Sequence, residues 1–161
     1  MVLFKKPLTI NELTELSLAL CENRYNNISQ YLKEQNLAYN DNLLIIVTFF
    51  INKQIIKTLL KQVYSDSLTN DFSIQFEKLF SSTYIKSNID EFISYSLYLN
   101  EDLEHLLNDF SNSNLEDLAK YYINEIQINT NDKSLLISFE TILLSWKSQL
   151  KFIINDYKIK H

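Results

Sequence analysis

The chain has 161 residues, of which 46% are hydrophobic and 22% charged, and its formal net charge is −5. This composition is typical of a folded globular protein, and a single domain over residues 1–161 is long enough to bury a sizeable core. The chain contains no glycine and one cysteine, which excludes glycine-rich phosphate loops, the dinucleotide fingerprint, the glycine-flanked nucleophile elbow, disulfide frameworks and multi-cysteine metal sites.

Helical periodicity dominates the chain, and no sustained alternation of period two is present. Thr9-Ile10-Asn11-Glu12 has the form of a capping box and predicts a first helix from Thr9 to about Leu32, with a candidate break at Asn26-Asn27. A second helix is predicted from Asp41 to about Tyr64. Its apolar run at 43–51 is about half the length of a membrane span, so we expect the most buried helix of a protein that does not enter the membrane. The single cysteine fits a reducing, cytoplasmic environment.

The third predicted helix carries an aromatic residue at every fourth position of DFSIQFEKLFSSTY, residues 71–84. A spacing of four advances only about 40° around a helix, so four rings cover about 120°, the width of a core-facing stripe. Aromatic platforms that stack nucleic-acid bases are accompanied by cationic grooves, and the flanking charge here is negative. We therefore predict that this aromatic ladder is core, while Ile74 and Ile85 on the opposite side indicate a second buried face. The ladder residues are Phe72, Phe76, Phe80 and Tyr84.

Three further helices complete the predicted fold. The fourth begins at Ser87 and extends to about Phe110, and the fifth begins at the capping box Ser113-Asn114-Leu115-Glu116 and extends to about Ile126. The last covers roughly 132–157 and has the strongest apolar stripe. Because the connections are short and rich in Asn, Ser and Asp, the sequence predicts an all-α, single-domain bundle of about six mostly antiparallel helices.

Negative charge is concentrated in the second half of the chain. Between Ser87 and Asp132 there are ten acidic residues and one lysine. Such a field opposes nucleic-acid phosphates, whose binding uses clustered Lys and Arg, and it favours encounter with a basic protein. Helical spacing places an exposed tyrosine among these carboxylates, a pattern typical of an interface anchor with a charged rim. The predicted partner-binding residues are Tyr98, Glu101, Asp102, His105, Asp109, Glu116 and Asp117.

Arg24 lies in the middle of the first helix's apolar stripe. An arginine in that position has to be paired or has to extend past the edge of the core. One interpretation is a structural ion pair with a Glu or Asp at the core edge. The other is a pocket in which Arg24 receives the carboxylate or phosphate of a ligand or partner.

Catalytic and metal motifs are not evident in the sequence. Asp102 and His105 form one carboxylate-x-x-His unit, but a di-iron bundle needs a second copy with another histidine. Cys21 and His105 have the residue types of a nucleophile and a base, but nothing local supports that pairing. We therefore predict no catalytic residue, no metal and no cofactor.

These observations predict a non-enzymatic, acidic helical protein that neutralises or escorts a basic protein, for example a bacterial immunity protein acting on a toxin. A phage-encoded inhibitor of a nucleic-acid-handling enzyme would produce the same signals. A helical ligand-binding or regulatory domain with Arg24 in a pocket is a further alternative, and so is an enzyme that uses carboxylates. The sequence also leaves open a homodimer interface among the aromatic residues.

Overall fold

A computed structural model describes residues 5–108, 115–129 and 132–161. Within these ranges the chain forms six α-helices and two short β-strands, so the predicted all-α bundle is confirmed. The helices are α1 (Ile10–Glu34), α2 (Asp41–Lys61), α3 (Asp66–Tyr84), α4 (Ile89–Leu106), α5 (Leu115–Glu125) and α6 (Lys133–Asp156). The strands are β1 (Lys6–Thr9) and β2 (Tyr157–Lys160).

Helix α2 lies at the centre of the bundle, and the other five helices surround it. It contacts each of them, and every residue from Val47 to Ile56 is buried. A helix that is enclosed on all sides is apolar on all sides, which explains the run at 43–51. By length and composition α2 could cross a membrane, but 72% of its most apolar 18-residue window is buried within the bundle. The expectation that this helix is the most deeply buried is confirmed.

The aromatic ladder of α3 belongs to the core, as predicted. Phe72, Phe76 and Phe80 are fully buried. The Phe80 ring lies 4.8 Å from that of Phe49 on α2, measured between centroids. The predicted second buried face of α3 is wrong, because Ile74 is 63% exposed. Ile85 is partly buried against the core, but it follows the last residue of the helix. Helix α3 lies on the outside of the bundle, so only one of its sides meets other helices.

Several predicted helix ends are confirmed and others change. Thr9 caps α1 through the predicted capping box, since its hydroxyl accepts from the Glu12 amide and its own amide donates to the Glu12 carboxylate. Helix α1 is unbroken at 26–27, because both asparagines lie on its exposed side. Helix α4 begins at Ile89 rather than Ser87, because Asn88 has a left-handed backbone with φ of 53°. Two predicted positions lie outside the described residues. They are the start of the capping box at 113–116 and the end of the fourth helix near 110.

The sequence did not predict the two strands. Strand β1 pairs in parallel with β2, with Lys6 opposite Tyr157 and Thr9 opposite Lys160. Four residues give too little alternation to distinguish a strand from the end of a helix, and the two paired segments lie at opposite ends of the chain. The Ile159 amide also donates to the Tyr64 hydroxyl at 3.0 Å, which attaches β2 to the residues that follow α2.

Two polar side chains of α2 connect it to helices on either side. Thr48 is hydrogen-bonded to the Tyr122 hydroxyl of α5, and both side chains are buried. One turn later, the side-chain oxygen of Asn52 accepts a hydrogen bond from the Arg24 guanidinium of α1. The side-chain Nδ2 of Asn52 donates to the backbone carbonyl of Thr48 at 2.8 Å, which joins the two contacts. A buried polar group is costly unless it is paired, so these bonds favour one arrangement of α1, α2 and α5.

A third polar side chain of α2, Lys53, connects it to α3 and α4. Its Nζ lies 2.6 Å from Glu77 Oε1 and also donates to the side-chain oxygen of Asn100. The side-chain Nδ2 of Asn100 donates to the same Glu77 oxygen at 2.6 Å. The Lys53 ammonium lies 4.5 Å from the Phe50 ring centroid. Burial lowers the pKa of Lys53, while the Glu77 carboxylate acts in the opposite direction.

We predict that Glu77→Gln lowers the free energy of unfolding by about 3 kcal/mol, because it leaves the buried Lys53 charge without its anion. The double variant Lys53→Met/Glu77→Gln should regain most of that loss, because an apolar side chain of similar length removes the uncompensated charge. Urea unfolding monitored by circular dichroism measures both.

The matched control is Glu104→Gln, which removes an exposed partner of Lys57 and Lys61 and should cost less than about 1 kcal/mol. A Glu77→Gln effect no larger than that of the control would contradict a stabilising role for the buried pair.

Candidate functional site

The outward face of α4 carries most of the predicted partner-binding residues. Glu101 and His105 are exposed, Tyr98 is 48% exposed, and Asp102 is partly buried. The predicted site residue Asp109 lies outside the described residues. Because α4 packs inward through Phe92, Leu99 and Leu103, its opposite side remains on the surface.

A cluster of tyrosines and carboxylates joins α4 to α5, and we call it the tyrosine cluster: Tyr95, Tyr98, Asp102, Tyr121 and Glu125. The Tyr95 hydroxyl donates to Glu125 Oε2 at 2.7 Å, and the Tyr98 hydroxyl donates to Glu125 Oε1 at 3.1 Å. The Tyr95 and Tyr98 rings are stacked, with centroids 5.9 Å apart. These contacts hold Tyr98 in place while nearly half of it stays accessible.

The tyrosine cluster also shows that α4 and α5 run antiparallel. Asp102 lies one turn after Tyr98 on α4 and is close to Tyr121, one turn before Glu125 on α5. The Tyr121 hydroxyl is buried and makes no hydrogen bond of ordinary geometry with any described residue. Asp117 lies one turn before Tyr121 on α5, on the side of that helix that carries Tyr121 and Glu125.

Desolvation and nearby carboxylates raise the pKa values of all three tyrosines. For Tyr98, desolvation and then the hydrogen bond to Glu125 raise the pKa to about 12. The pKa values of Tyr95 and Tyr121 rise for the same two kinds of cause, burial first and the charges of Glu125 and Asp102 after it. At neutral pH the cluster therefore holds neutral tyrosines beside two carboxylates, and it carries negative charge.

Some carboxylates of this region are paired within the chain. Glu116 lies 2.8 Å from Lys120 on α5, so this predicted site residue is partly neutralised. Glu104, which the sequence did not single out, lies 3.7 Å from Lys61 and 3.9 Å from Lys57. These three ion pairs reduce the charge that the surface offers to another molecule.

Other carboxylates of the same region form no ion pair with a cation among the described residues. Glu101 and Asp117 are exposed, and so are Asp90 and Glu91 at the start of α4. None of the four lies within ion-pair distance of a lysine, arginine or histidine among the residues that the structure describes. We call these four residues the open carboxylates.

A cavity of about 540 Å³ adjoins the tyrosine cluster, between the start of α2 and the start of α4. Ile45, Ile46 and Phe92 give it apolar walls, and Glu91 is one of its charged lining residues. Tyr95 belongs both to this cavity and to the tyrosine cluster. The surface of α4 is thus bordered by a depression on the side facing α2.

The sequence prediction missed three apolar residues on the exposed side of α4: Ile89, Ile93 and Leu97. They are 59%, 49% and 66% exposed. Their four-residue spacing was the available signal, because it separates them from the inward-facing residues Phe92 and Leu99.

Arg24 is buried, but it lacks the acidic partner that the ion-pair interpretation requires. Its guanidinium donates to neutral acceptors: the side-chain oxygens of Asn52 and Gln149, the latter at 2.9 Å, and the Trp146 carbonyl at 3.4 Å. It also lies 5.1 Å from the Trp146 ring centroid. Burial lowers the pKa of Arg24 to about 10. Among the described residues, the predicted structural ion pair is therefore replaced by neutral hydrogen bonds and contact with a ring.

The ligand-pocket interpretation of Arg24 gains no support from its surroundings. Four cavities on the surface of the described residues are lined by residues other than Arg24. Arg24 Nε is buried without a hydrogen-bond partner among the described residues, but helices α1, α2 and α6 enclose the guanidinium. Its contacts join these three helices.

Cys21 and His105 do not come together. Cys21 is buried in the core on α1, where desolvation raises the pKa of its thiol to about 12. His105 lies on the exposed side of α4. Within the described ranges, no group of three or more His, Cys, Asp and Glu side chains is placed to hold a metal ion.

Comparisons with known proteins identify no family for this chain. No family model matches it, and no characterised protein or solved structure matches it significantly. The class that the fold defines is an all-α bundle, and the basis for a functional proposal is the surface formed by α4 and α5.

We predict that Glu125→Gln lowers the pKa of Tyr98 from about 12 toward the ordinary value near 10, because the anionic acceptor is lost. Because the pKa of Tyr98 is higher in the folded protein than in the unfolded chain, the protonated side chain increases the free energy of unfolding below about pH 10. This contribution is lost as the pH rises from about 10 to 12. Tyrosine-ring NMR shifts measured against pH, assigned with Tyr98→Phe, report the change. Glu116→Gln is the control and should leave the Tyr98 titration unaltered; an unchanged pKa in Glu125→Gln would contradict the assignment.

Proposed function

We propose that this protein is a non-enzymatic binding protein that recognises a basic partner protein through the α4–α5 surface. The observation that carries the proposal is the set of open carboxylates next to the half-exposed Tyr98. Within the described residues, none of these carboxylates lies within ion-pair distance of a cation, so their charge is available to another molecule.

The physical chemistry of this surface favours lysine and arginine side chains. Uncompensated carboxylates accelerate encounter with a positively charged protein and disfavour negatively charged ones. The exposed ring of Tyr98 offers apolar contact and a π face that attracts cations, and tyrosine is common among the residues that dominate binding energy. Because Glu125 fixes the hydroxyl of Tyr98, less side-chain entropy is lost when a partner covers the ring.

Neutralising or escorting a basic protein is the biological role that this chemistry supports best. An immunity protein that blocks a nuclease toxin has this chemistry, and so has a phage-encoded inhibitor of a nucleic-acid-handling enzyme, because nucleic-acid-binding surfaces are basic. A role as a small-ligand receptor has less support, because the guanidinium of Arg24 is enclosed and both of its terminal nitrogens donate to acceptors within the bundle.

We expect a Lys-rich helical peptide with alanine at its other positions, the Lys/Ala peptide, to bind the protein in about 20 mM salt and to dissociate as salt rises. Glu101→Lys/Asp117→Lys should weaken this binding by at least about tenfold, because both charges lie on the proposed surface. Fluorescence anisotropy of the labelled peptide measures the dissociation constant.

The matched control is Glu15→Lys/Asp156→Lys, which alters the net charge equally at exposed positions on α1 and α6. It should weaken binding much less. Equal weakening by both double variants would show that net charge alone attracts the peptide, and it would overturn the assignment to the α4–α5 surface. Thermal unfolding of each variant verifies that it is folded.

A further inference from the structure

The exposed side of α4 carries an unbroken apolar row, formed by Ile89, Ile93 and Leu97. The exposed fraction of each side chain is 49% or more. The spacing of four places the three side chains along one ridge about 12 Å long. Single exposed apolar residues are common on protein surfaces, but contiguous ones mark interaction sites. The apolar row therefore requires an explanation that the charge of the surface does not provide.

Helix α6 offers a useful comparison because it also exposes apolar residues. Ile137, Leu144 and Phe152 are exposed there, but polar residues separate them. Ile137 and Leu144 are two turns apart on one face, and Phe152 is rotated away from that face by about 60° to 80°. Helix α4 therefore has a continuous ridge, whereas α6 has scattered exposed side chains.

Acidic residues flank the apolar row on the same face. Asp90 follows its first member, and Glu101 continues the spacing of four after Leu97. Both belong to the open carboxylates. A partner that covers the row therefore meets an apolar centre with negative charge at both ends, which is the arrangement of an interface core with a charged rim.

We infer that the α4 apolar row is the docking surface for an amphipathic helix of the basic partner, with apolar residues facing the row and lysine or arginine residues on either side. This rests on the proposed function and specifies the partner's chemistry. The ridge of an exposed helix packs into the groove between side-chain rows of a second helix. The flanking cations of the partner then lie against Asp90 and Glu101.

Charge distinguishes this occupant from the two other candidates. A second copy packed by two-fold symmetry against the same face would place its own Asp90 and Glu101 against these carboxylates, and like charges across an interface are unfavourable. An anionic membrane surface would be repelled in the same way. A basic amphipathic helix satisfies both the apolar row and its flanks.

The test compares the Lys/Ala peptide with a Lys/Leu peptide, in which leucines replace the alanines on one helical face. The Lys/Leu peptide should bind the wild-type protein at least about tenfold more tightly. Ile93→Ser/Leu97→Ser should remove that gain and leave Lys/Ala binding unchanged. The matched control Ile137→Ser/Leu144→Ser on α6 should alter neither. Because all four side chains are exposed, each variant should keep its thermal midpoint within a few degrees.

The outcomes separate this inference from the proposed function. If the Lys/Leu peptide gains nothing, or if only the α6 variant loses the gain, the docking surface is overturned while Lys/Ala binding still supports a basic partner. If neither peptide binds, both are overturned. If sedimentation shows a wild-type dimer that Ile93→Ser/Leu97→Ser dissociates, a second copy covers the row and the inference is wrong.

Discussion

The arrangement of this bundle depends on enclosing α2 on every side while its buried polar groups stay paired. Apolar residues alone would allow the surrounding helices to exchange places, because apolar contact has little directional preference. Thr48, Asn52 and Lys53 require partners at fixed positions, and those partners come from four different helices. The cost of leaving any of them unpaired disfavours the alternative arrangements.

Lys53 has a direct consequence for the proposed binding surface. By bonding to Asn100, it fixes the rotation of α4 about its own axis, and Phe92 on the same helix packs on Phe50 and Phe80. With Phe92 in the core, the apolar row and the open carboxylates of α4 remain exposed. Glu125 holds Tyr98 and Tyr95 from the neighbouring helix, so the surface is supported from two directions and is preorganised for a rigid partner.

The sequence was sufficient to predict the helices because their signals are local. The Thr9 capping box and the four-residue spacing of Phe72, Phe76 and Phe80 each depend on nearby residues, and both are confirmed. The pairing of β1 with β2 and the neutral partners of Arg24 depend on residues far away in the chain. No pattern in a single sequence brings such segments together, so these features could not be predicted.

The candidate site was only partly predictable for the same reason. Helical spacing located the acidic face and Tyr98, and the structure places Tyr98, Glu101 and His105 on the exposed side of α4. Helical spacing could not reveal that Glu125 accepts hydrogen bonds from two tyrosines, because that contact joins α4 to α5. The four-residue spacing of the apolar row is present in the sequence. Only the structure shows that these residues are exposed while Phe92 and Leu99 of the same helix are buried.

Residue-resolved NMR of the isotopically labelled protein during titration with the Lys/Leu peptide tests the central claim most directly. The amide shifts should change most along α4 from Ile89 to Asp102 and along α5, with small changes on α6. The largest changes on α6 or around the paired strands, or weak changes spread over the whole molecule, would contradict the claim that α4 carries the binding surface.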